Sequence, residues 1–271
     1  MTQTAIISST AMTKPLPNII SSQKITYDIG QAKPKAKPFV KWAGGKKQLL
    51  NNLEERLPEN IKETKVIERY IEPFVGGGAF FFYLKSRYEI KNAYLSDINR
   101  ELMMGYKVIQ KNPNELIYRL NELQANYLIK SKAKRKEFYY NTRDIYNEQM
   151  GTFNYRSYNV DWIERVSMFI FFNKTCFNGL FRQNKKGEFN VPFGDYTNPK
   201  IYDEANIMGV HKALQNTEIS CEDFSKSERF VTRNSLVYLD PPYRPLNHTS
   251  SFTDYSKESF TDNDQIRLGQ F

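Results

Sequence analysis

Arg69-Tyr70-Ile71-Glu72-Pro73-Phe74-Val75-Gly76-Gly77-Gly78-Ala79-Phe80 is a short β-like run that breaks into a glycine loop and resumes as a helical pattern. Glycines at such a point let the backbone turn tightly and approach a ligand that any Cβ would block. A second β-like run over 92–96 ends at Asp97, 21 residues after Gly76. An acid at that spacing, at the end of the next strand, can accept from both hydroxyls of a ribose. The spacing suits a dinucleotide or S-adenosyl-L-methionine. The loop lacks the G-x-G-x-x-G order, which weighs against the dinucleotide. The structural alternatives are an ordinary strand-to-helix turn at 76–78 and a helix cap at Asp97.

Outward from this unit, the structured chain begins at Phe39-Val40-Lys41-Trp42-Ala43-Gly44-Gly45-Lys46. Leu49, Leu50, Leu53 and Leu57 share one face of a helix that Pro58 ends. Gly44-Gly45-Lys46-Lys47-Gln48 is not a phosphate loop: Val40 stands where the first glycine is required, and no Ser or Thr follows Lys46. Helices are expected over 79–86, 98–110, 114–128, 131–150, 161–172 and 203–215. Strands are expected at 69–73, 92–96, 217–221 and 235–239, with a hairpin over 181–193 turning at Asn184-Lys185-Lys186-Gly187. This alternation implies an α/β fold, a Rossmann-like, doubly wound, mostly parallel sheet with helices on both faces. Residues 37–114 and 201–271 are expected to form the cofactor-binding catalytic domain. Residues 115–200 form an inserted, mainly helical lobe. Residues 1–36, rich in Ser, Thr, Lys, Pro and Gln, read as a disordered basic and polar arm.

Composition narrows the classes. The 271 residues suffice for one large domain or two small ones. A net charge of +9 favours a polyanionic partner such as nucleic acid, the bland alternative being a merely basic enzyme. No apolar run approaches the ~20 residues of a spanning helix, and the N-terminus has no charged-plus-apolar leader. Cys176 and Cys221 are the only cysteines, which argues against a disulfide framework and fits a reducing cytoplasm. With only His211 and His248 beside them, no Cys/His metal cluster can be assembled.

The second informative stretch is Asp240-Pro241-Pro242-Tyr243, after the β-like run Ser235-Leu236-Val237-Tyr238-Leu239. It presents a carboxylate, backbone carbonyls held rigid by two prolines, and an aromatic face. An exocyclic amine of a nucleobase is a poor nucleophile, because its lone pair is delocalised into the ring. Its two N–H groups need two acceptors, which the Asp240 carboxylate and the Pro241 carbonyl supply, while Tyr243 offers a stacking surface. With the glycine loop, this points to methyl transfer from S-adenosylmethionine to a base amine, driven by positioning and preorganised electrostatics. A base inside a duplex must first be flipped out. Cys176, in Asn-Lys-Thr-Cys-Phe-Asn, has no preceding proline and reads as a packing residue, not a nucleophile.

From about Pro38 to its end, the chain resembles the Dam-type DNA adenine-N6 methyltransferases, a family that commonly methylates GATC. The resemblance rests on Lys41-Trp42-Ala43-Gly44-Gly45-Lys46, Glu72-Pro73-Phe74-Val75-Gly76-Gly77-Gly78 and Leu95-Ser96-Asp97-Ile98-Asn99. It continues through Phe177-Asn178-Gly179-Leu180-Phe181-Arg182, Glu188-Phe189-Asn190-Val191-Pro192-Phe193-Gly194 and Asp240-Pro241-Pro242-Tyr243. It implies that Trp42, Lys46, Asp97 and Asp240 contact the cofactor beside Phe74, Gly76 and Gly78, with Asp240 shared with the target adenine. Asp223-Phe224 resembles the segment near the cofactor's own adenine. Lys41 and Arg182 would read guanines, and Phe177, Asn178 and Leu180 would lie at the double-stranded DNA interface. Phe177 stands where the family often has Tyr, which keeps a stacking face and loses a hydroxyl.

The residues support the same reading. A hairpin with Arg182, Lys185 and Lys186 beside exposed aromatics suits groove entry: Arg forks onto guanine O6 and N7, and Lys neutralises phosphates. The basic residues at 132–136 either face solvent or flank DNA. The expected setting is a bacterial or phage cytoplasm, in restriction-modification or a related role, as a monomer or weak dimer. In the family more chain follows, including a closing hairpin, so a C-terminally incomplete polypeptide, poorly soluble or inactive alone, is expected. The rivals are an RNA amino-methyltransferase and a non-catalytic DNA-binding fragment.

Overall fold

Val66-Ile67-Glu68-Arg69-Tyr70-Ile71-Glu72, rich in β-branched and aromatic residues, forms β1 at the centre of the sheet. The computed structural model describes residues 36–242 and 260–271. Tyr243 and residues 1–35 of the expected arm lie outside the described residues. β2 (Glu89–Asp97) runs parallel to β1, with Tyr70 opposite Ala93 and Glu72 opposite Leu95. β3 (Thr217–Cys221) continues beyond β2, with Asp97 opposite Cys221. β4 (Ser235–Val237) lies on the other side of β1, with Tyr70 opposite Leu236. The described sheet is therefore ordered β3-β2-β1-β4, all parallel.

This order positions the site. The chain winds outward from β1 through β2 to β3, then returns to β4 beside β1. The reversal opens a crevice at the carboxyl ends of β1 and β4, where α/β sheets bind ligands. The glycine loop and Asp240, distant in sequence, become neighbours there.

The helices follow the hydrophobic pattern with local departures. The expected first helix is a 3₁₀ turn, Lys47–Leu49, running into α1 (Leu50–Glu55). Pro58 does not only end it: it opens an unanticipated α2 (Glu59–Thr64). α3 (Ala79–Lys85) buries Phe80, Phe81, Phe82 and Leu84. α4 (Arg100–Lys111) is capped by Asn99, whose side chain accepts from Leu102 N at 3.0 Å. Asp97 is therefore free of capping duty. α5 (Pro113–Leu128) starts on a proline that costs no hydrogen bond at that position. α6 (Lys132–Glu148) begins with the basic cluster. Part of that cluster works inside the protein: Arg135 donates to Tyr127 O and Leu128 O at the end of α5, and Lys132 pairs with Asp195 at 2.6 Å. Lys134 and Lys136 remain exposed.

α7 (Asp161–Thr175) is buried around most of its circumference, as an apolar helix inside a core must be. It packs against α4, α5 and α6. Its Arg165 is fully buried and forks onto Glu101 of α4, Nη2 to Oε1 at 2.6 Å, with the Tyr146 ring under the guanidinium at 3.9 Å. α8 (Glu204–Ala213) packs on α4 and leads to β3, and α9 (Asp262–Gln270) closes the described chain.

The 181–193 segment turns where expected, with Gly187 N donating to Asn184 O at 2.8 Å. It forms isolated antiparallel bridges, Gln183 with Phe189 and Cys176 with Phe193, in place of two strands. The reason is Asn147 of α6, whose amide takes both the Phe189 N–H and its carbonyl. The aromatics expected to be exposed here are largely core: Phe181 and Phe189 are buried, because both stack into the cluster around Phe169 and Phe172.

Candidate active site at the carboxyl ends of the strands

The glycine loop is wedged between two aromatic side chains. Gly76 and Gly78 have φ of +47° and +69°, a region that L-residues with a Cβ rarely occupy. A Cβ at Gly78 would lie 2.5 Å from the Tyr106 hydroxyl, and one at Gly76 would lie 3.0 Å from Trp42 Cδ1. Tyr106 OH donates to Gly76 O at 3.0 Å, which ties the loop to α4. Gly76 N donates to Asp97 Oδ2 at 3.1 Å, and Asn99 N donates to Oδ1 at 2.9 Å. Asp97 is thus fixed at the end of β2 directly against the loop. Burial raises its pKa, and the Asn99 and Gly76 N–H groups oppose the rise. Each carboxylate oxygen keeps a lone pair for a further donor.

Asp240, after β4, faces Lys46, with Nζ 3.0 Å from Oδ1. Lys46 also donates to Gly44 O at 3.2 Å. The segment before α1 therefore folds back over the crevice and meets Asp240. Beneath them lies Glu72, the last residue of β1, 3% exposed, whose Oε2 accepts from Tyr70 OH at 2.8 Å. Burial pushes its pKa up to about 8, the charges of Asp240 and Asp97 add to the rise, and the Tyr70 hydrogen bond opposes it. Three carboxyl groups, at the ends of β1 and β2 and just after β4, converge at one end of the sheet. Glu72 keeps its proton at neutral pH, which leaves Asp97 and Asp240 as the acceptors that suit a cationic ligand.

At the end of β3, Asp223 accepts from Ser225 N at 3.1 Å and Ser225 Oγ at 2.6 Å, both on Oδ1. Phe224 stacks on Phe74 of the glycine segment at 5.4 Å, with Phe260 edge-on to Phe74 at 5.7 Å. At 5.4 Å the two rings touch each other, so a base would rest beside the pair and not between its members. Phe74, Asp223 and Phe224 thus share one end of the crevice with Gly76, Gly78, Asp97 and Trp42.

The expected DNA-facing residues cluster beyond Lys46. Asn173, buried on α7, accepts from Lys41 N and donates to Lys41 O, clamping that segment to α7. Lys41 Nζ reaches Asn178 O at 2.6 Å, and Trp42 stacks on Phe181 at 6.0 Å. Phe177 is exposed, and Asn178, in a left-handed conformation, is exposed beside it. Leu180 is half-buried. Arg182 Nε donates to Asn190 Oδ1 at 2.9 Å, which orients the guanidinium, while Lys185 and Lys186 are exposed at the turn tip. Cys176 is buried with its thiol pushed up to about 12, mainly by burial, in keeping with a packing role. Sequence reading did not single out the roles of Glu72, Tyr106, Asn173 or Arg267. Glu72 carried a faint signal, an acid at the end of a β-like run four residues before Gly76. The others act through partners remote in sequence.

A family model described as D12 class N6 adenine-specific DNA methyltransferase matches residues 42–271. Type II methyltransferase M.MjaIII of Methanocaldococcus jannaschii is 53% identical over 235 residues, 87% of this chain and 78% of that protein. Type II methyltransferase M1.LlaDCHI of Lactococcus lactis subsp. cremoris is 37% identical over 86% of this chain and 74% of its own. DNA adenine methylase of Escherichia coli K12 is 34% identical over 87% of this chain and 75% of its own. Among the described residues no helix is long and apolar enough to cross a membrane.

Proposed function

The chain belongs to the D12 class of N6 adenine-specific DNA methyltransferases, and from that premise we propose the roles of its residues and its cofactor. The cofactor is S-adenosyl-L-methionine, and the site fits it on three counts. The glycine loop turns at positive φ beside Trp42 and Asp97, Asp97 and Asp240 stand at the same end of the sheet for a ligand that carries sulfonium and ammonium charge, and Phe74, Asp223 and Phe224 offer a rim for its base. Trp42, Lys46, Phe74, Gly76, Gly78, Asp97, Asp223, Phe224 and Asp240 would hold it. When bound, it supplies an electrophilic methyl group.

The remaining chemistry belongs to the chain. Asp240 and the Pro241 carbonyl accept the two N–H groups of the adenine amine and draw its lone pair out of the ring plane. Pro241 and Pro242 fix the acceptors. Lys46 holds Oδ1 of Asp240, leaving the rest of the carboxylate for the amine. Tyr243 provides the stacking face for a base flipped out of double-stranded DNA. Lys41 and Arg182 read guanines, Phe177, Asn178 and Leu180 line the groove, and Lys185 and Lys186 meet phosphates. Residues 115–200 act as the target-recognition lobe on a catalytic part formed by 37–114 and 201–271. The recognition site is GATC, supported by the likeness of the 177–182 segment to the Dam type.

The observation that carries this reading is the ion pair between Lys46 and Asp240 across the crevice where β1 and β4 part. It joins the glycine-loop site to the tetrad. The test is labelled methyl transfer to duplexes that differ only at one GATC. Label confined to the GATC duplex supports the reading, and equal label in both removes the site assignment.

A further inference from the structure

Asp223 is held by more than its own turn. Its Oδ1 accepts from Ser225 N, Ser225 Oγ and, at 2.5 Å, Arg267 Nη2 of α9. The other arm of Arg267, Nη1, is fixed by Asp264 Oδ1 at 2.7 Å. Asp264 is itself pinned, since its Oδ2 accepts from Thr261 N and Thr261 Oγ1 in the capping box of α9. The guanidinium lies 4.9 Å over the Phe224 ring, and Phe260 and Phe271 pack against the same ring at 6.2 and 6.0 Å. A rigid chain of contacts therefore runs from the start of α9 to a single oxygen of Asp223. Oδ2 makes no hydrogen bond among the described residues.

The Arg267–Asp223 pair is a weak stability device. Its side chains are 45% and 39% exposed, and such pairs contribute little to folding. Orientation is what it supplies. A carboxylate with one oxygen saturated by three donors cannot rotate freely, so the other oxygen presents an acceptor in a fixed direction. A 6-amino purine satisfies that acceptor. A 6-oxo purine sets its own oxygen against it, and a fixed carboxylate cannot swing to reach the neighbouring ring N–H. Burial works against ionisation of Asp223, but the hydrogen bonds from Ser225 and Arg267 outweigh it and hold the carboxyl below the usual range.

We propose that Arg267 is a positioning residue that makes Asp223 select an amino-bearing purine in the cofactor over a 6-oxo purine. The proposal rests on the reading that Asp223 and Phe224 receive the cofactor's base. Equilibrium binding of S-adenosylhomocysteine and S-inosylhomocysteine to the full chain, read by calorimetry, tests it without turnover. The wild type should prefer the adenosyl compound by ~10–100-fold, the range expected of one charge-assisted hydrogen bond gained or lost. Arg267→Ala should shrink that ratio ~5–10-fold, chiefly by improving relative binding of the inosyl compound, and Arg267→Lys should restore part of it. Asp264→Asn, which loosens the second arm of Arg267, should move the ratio in the same direction by less, and serves if Arg267→Ala does not fold. Asp223→Asn should flatten the preference, because its amide can donate to a 6-oxo group. An unchanged ratio in both Arg267→Ala and Asp264→Asn, with Asp223→Asn flattened, would overturn the role of Arg267 and leave the base site standing. An unchanged ratio in Asp223→Asn would overturn the base site itself, and the proposal with it.

Discussion

Lys46 Nζ lies 3.0 Å from Asp240 Oδ1, so the segment that precedes the first helix closes on the residue that follows the last described strand. Both side chains are largely buried, at 16% and 22% exposure. In that setting the ammonium orients the Asp240 carboxylate and balances its charge. Replacing Lys46 with Met removes that charge while keeping much of the stem. The expected outcome is a fall in methyl transfer of ~10–100-fold, corresponding to one charge-assisted contact of ~1.5–3 kcal/mol. Single-turnover rates with saturating cofactor check it, and an unchanged rate would leave Lys46 a bystander.

The glycine loop offers a packing test. A Cβ at Gly78 meets the Tyr106 hydroxyl at 2.5 Å and Phe82 Cε2 at 3.1 Å, at a φ of +69°. Gly78→Ala should cost ~1–3 kcal/mol from strain and overlap. Tyr106→Phe removes the nearest clashing atom, so the double variant should be less destabilised than the sum of the two single changes. Urea midpoints of the four proteins decide the matter. Strict additivity would mean the loop relieves the overlap elsewhere.

Glu72 makes a prediction about pH. Its pKa is raised to about 8, chiefly by burial, from an ordinary value near 4.5. Between those values the native state holds a proton that the unfolded state has released, so ν_U − ν_N is negative and stability falls as pH rises. The contribution is neutral below about pH 4.5, declines across that window and levels off above about pH 8. Glu72→Gln cannot ionise, so its stability relative to the wild type should climb from pH 5 to 8. Chemical denaturation at a series of pH values measures the difference. A flat difference would mean that Glu72 ionises at its ordinary pKa.

The elements that frame the candidate site are legible in the sequence. The strand–glycine loop–helix unit, the acid at Asp97 and the tetrad at Asp240 are local patterns, because each is set by residues adjacent in sequence or one strand apart. Strand 217–221 and the helices 79–85, 113–128 and 132–148 likewise follow local periodicity. What stayed hidden depends on long-range contact. That Lys41 is gripped by Asn173, that Trp42 stacks on Phe181, and that Arg267 reaches Asp223 are consequences of topology. Burial misled in one place: Phe181 and Phe189 look like groove-facing aromatics in a basic hairpin, yet α7 draws both into the core.

Sequence reading by the turn separates two kinds of contact. Arg182 is oriented by Asn190, whereas Lys185 stands exposed at the tip. Arg182→Ala should cost ~1–3 kcal/mol of discrimination and relax one guanine position. Lys185→Ala should weaken binding evenly across sequences and reduce the salt slope by about one phosphate's worth. Competition binding against duplexes with single substitutions, at two salt concentrations, distinguishes them. An even loss across all sequences for Arg182→Ala would make it a phosphate contact.

The central claim is that Asp240 accepts the amine of a flipped adenine and that methyl transfer fails without it. Its most direct measurement is the identity and single-turnover rate of the methylated nucleoside recovered from a duplex substrate, for the wild type and for Asp240→Ala. The wild type should yield N6-methyladenine, and Asp240→Ala should fall by at least ~10²–10³-fold, the loss expected for one preorganised hydrogen-bonding group at the reacting centre. Near wild-type transfer by Asp240→Ala, or 4-methylcytosine as the product, would contradict it.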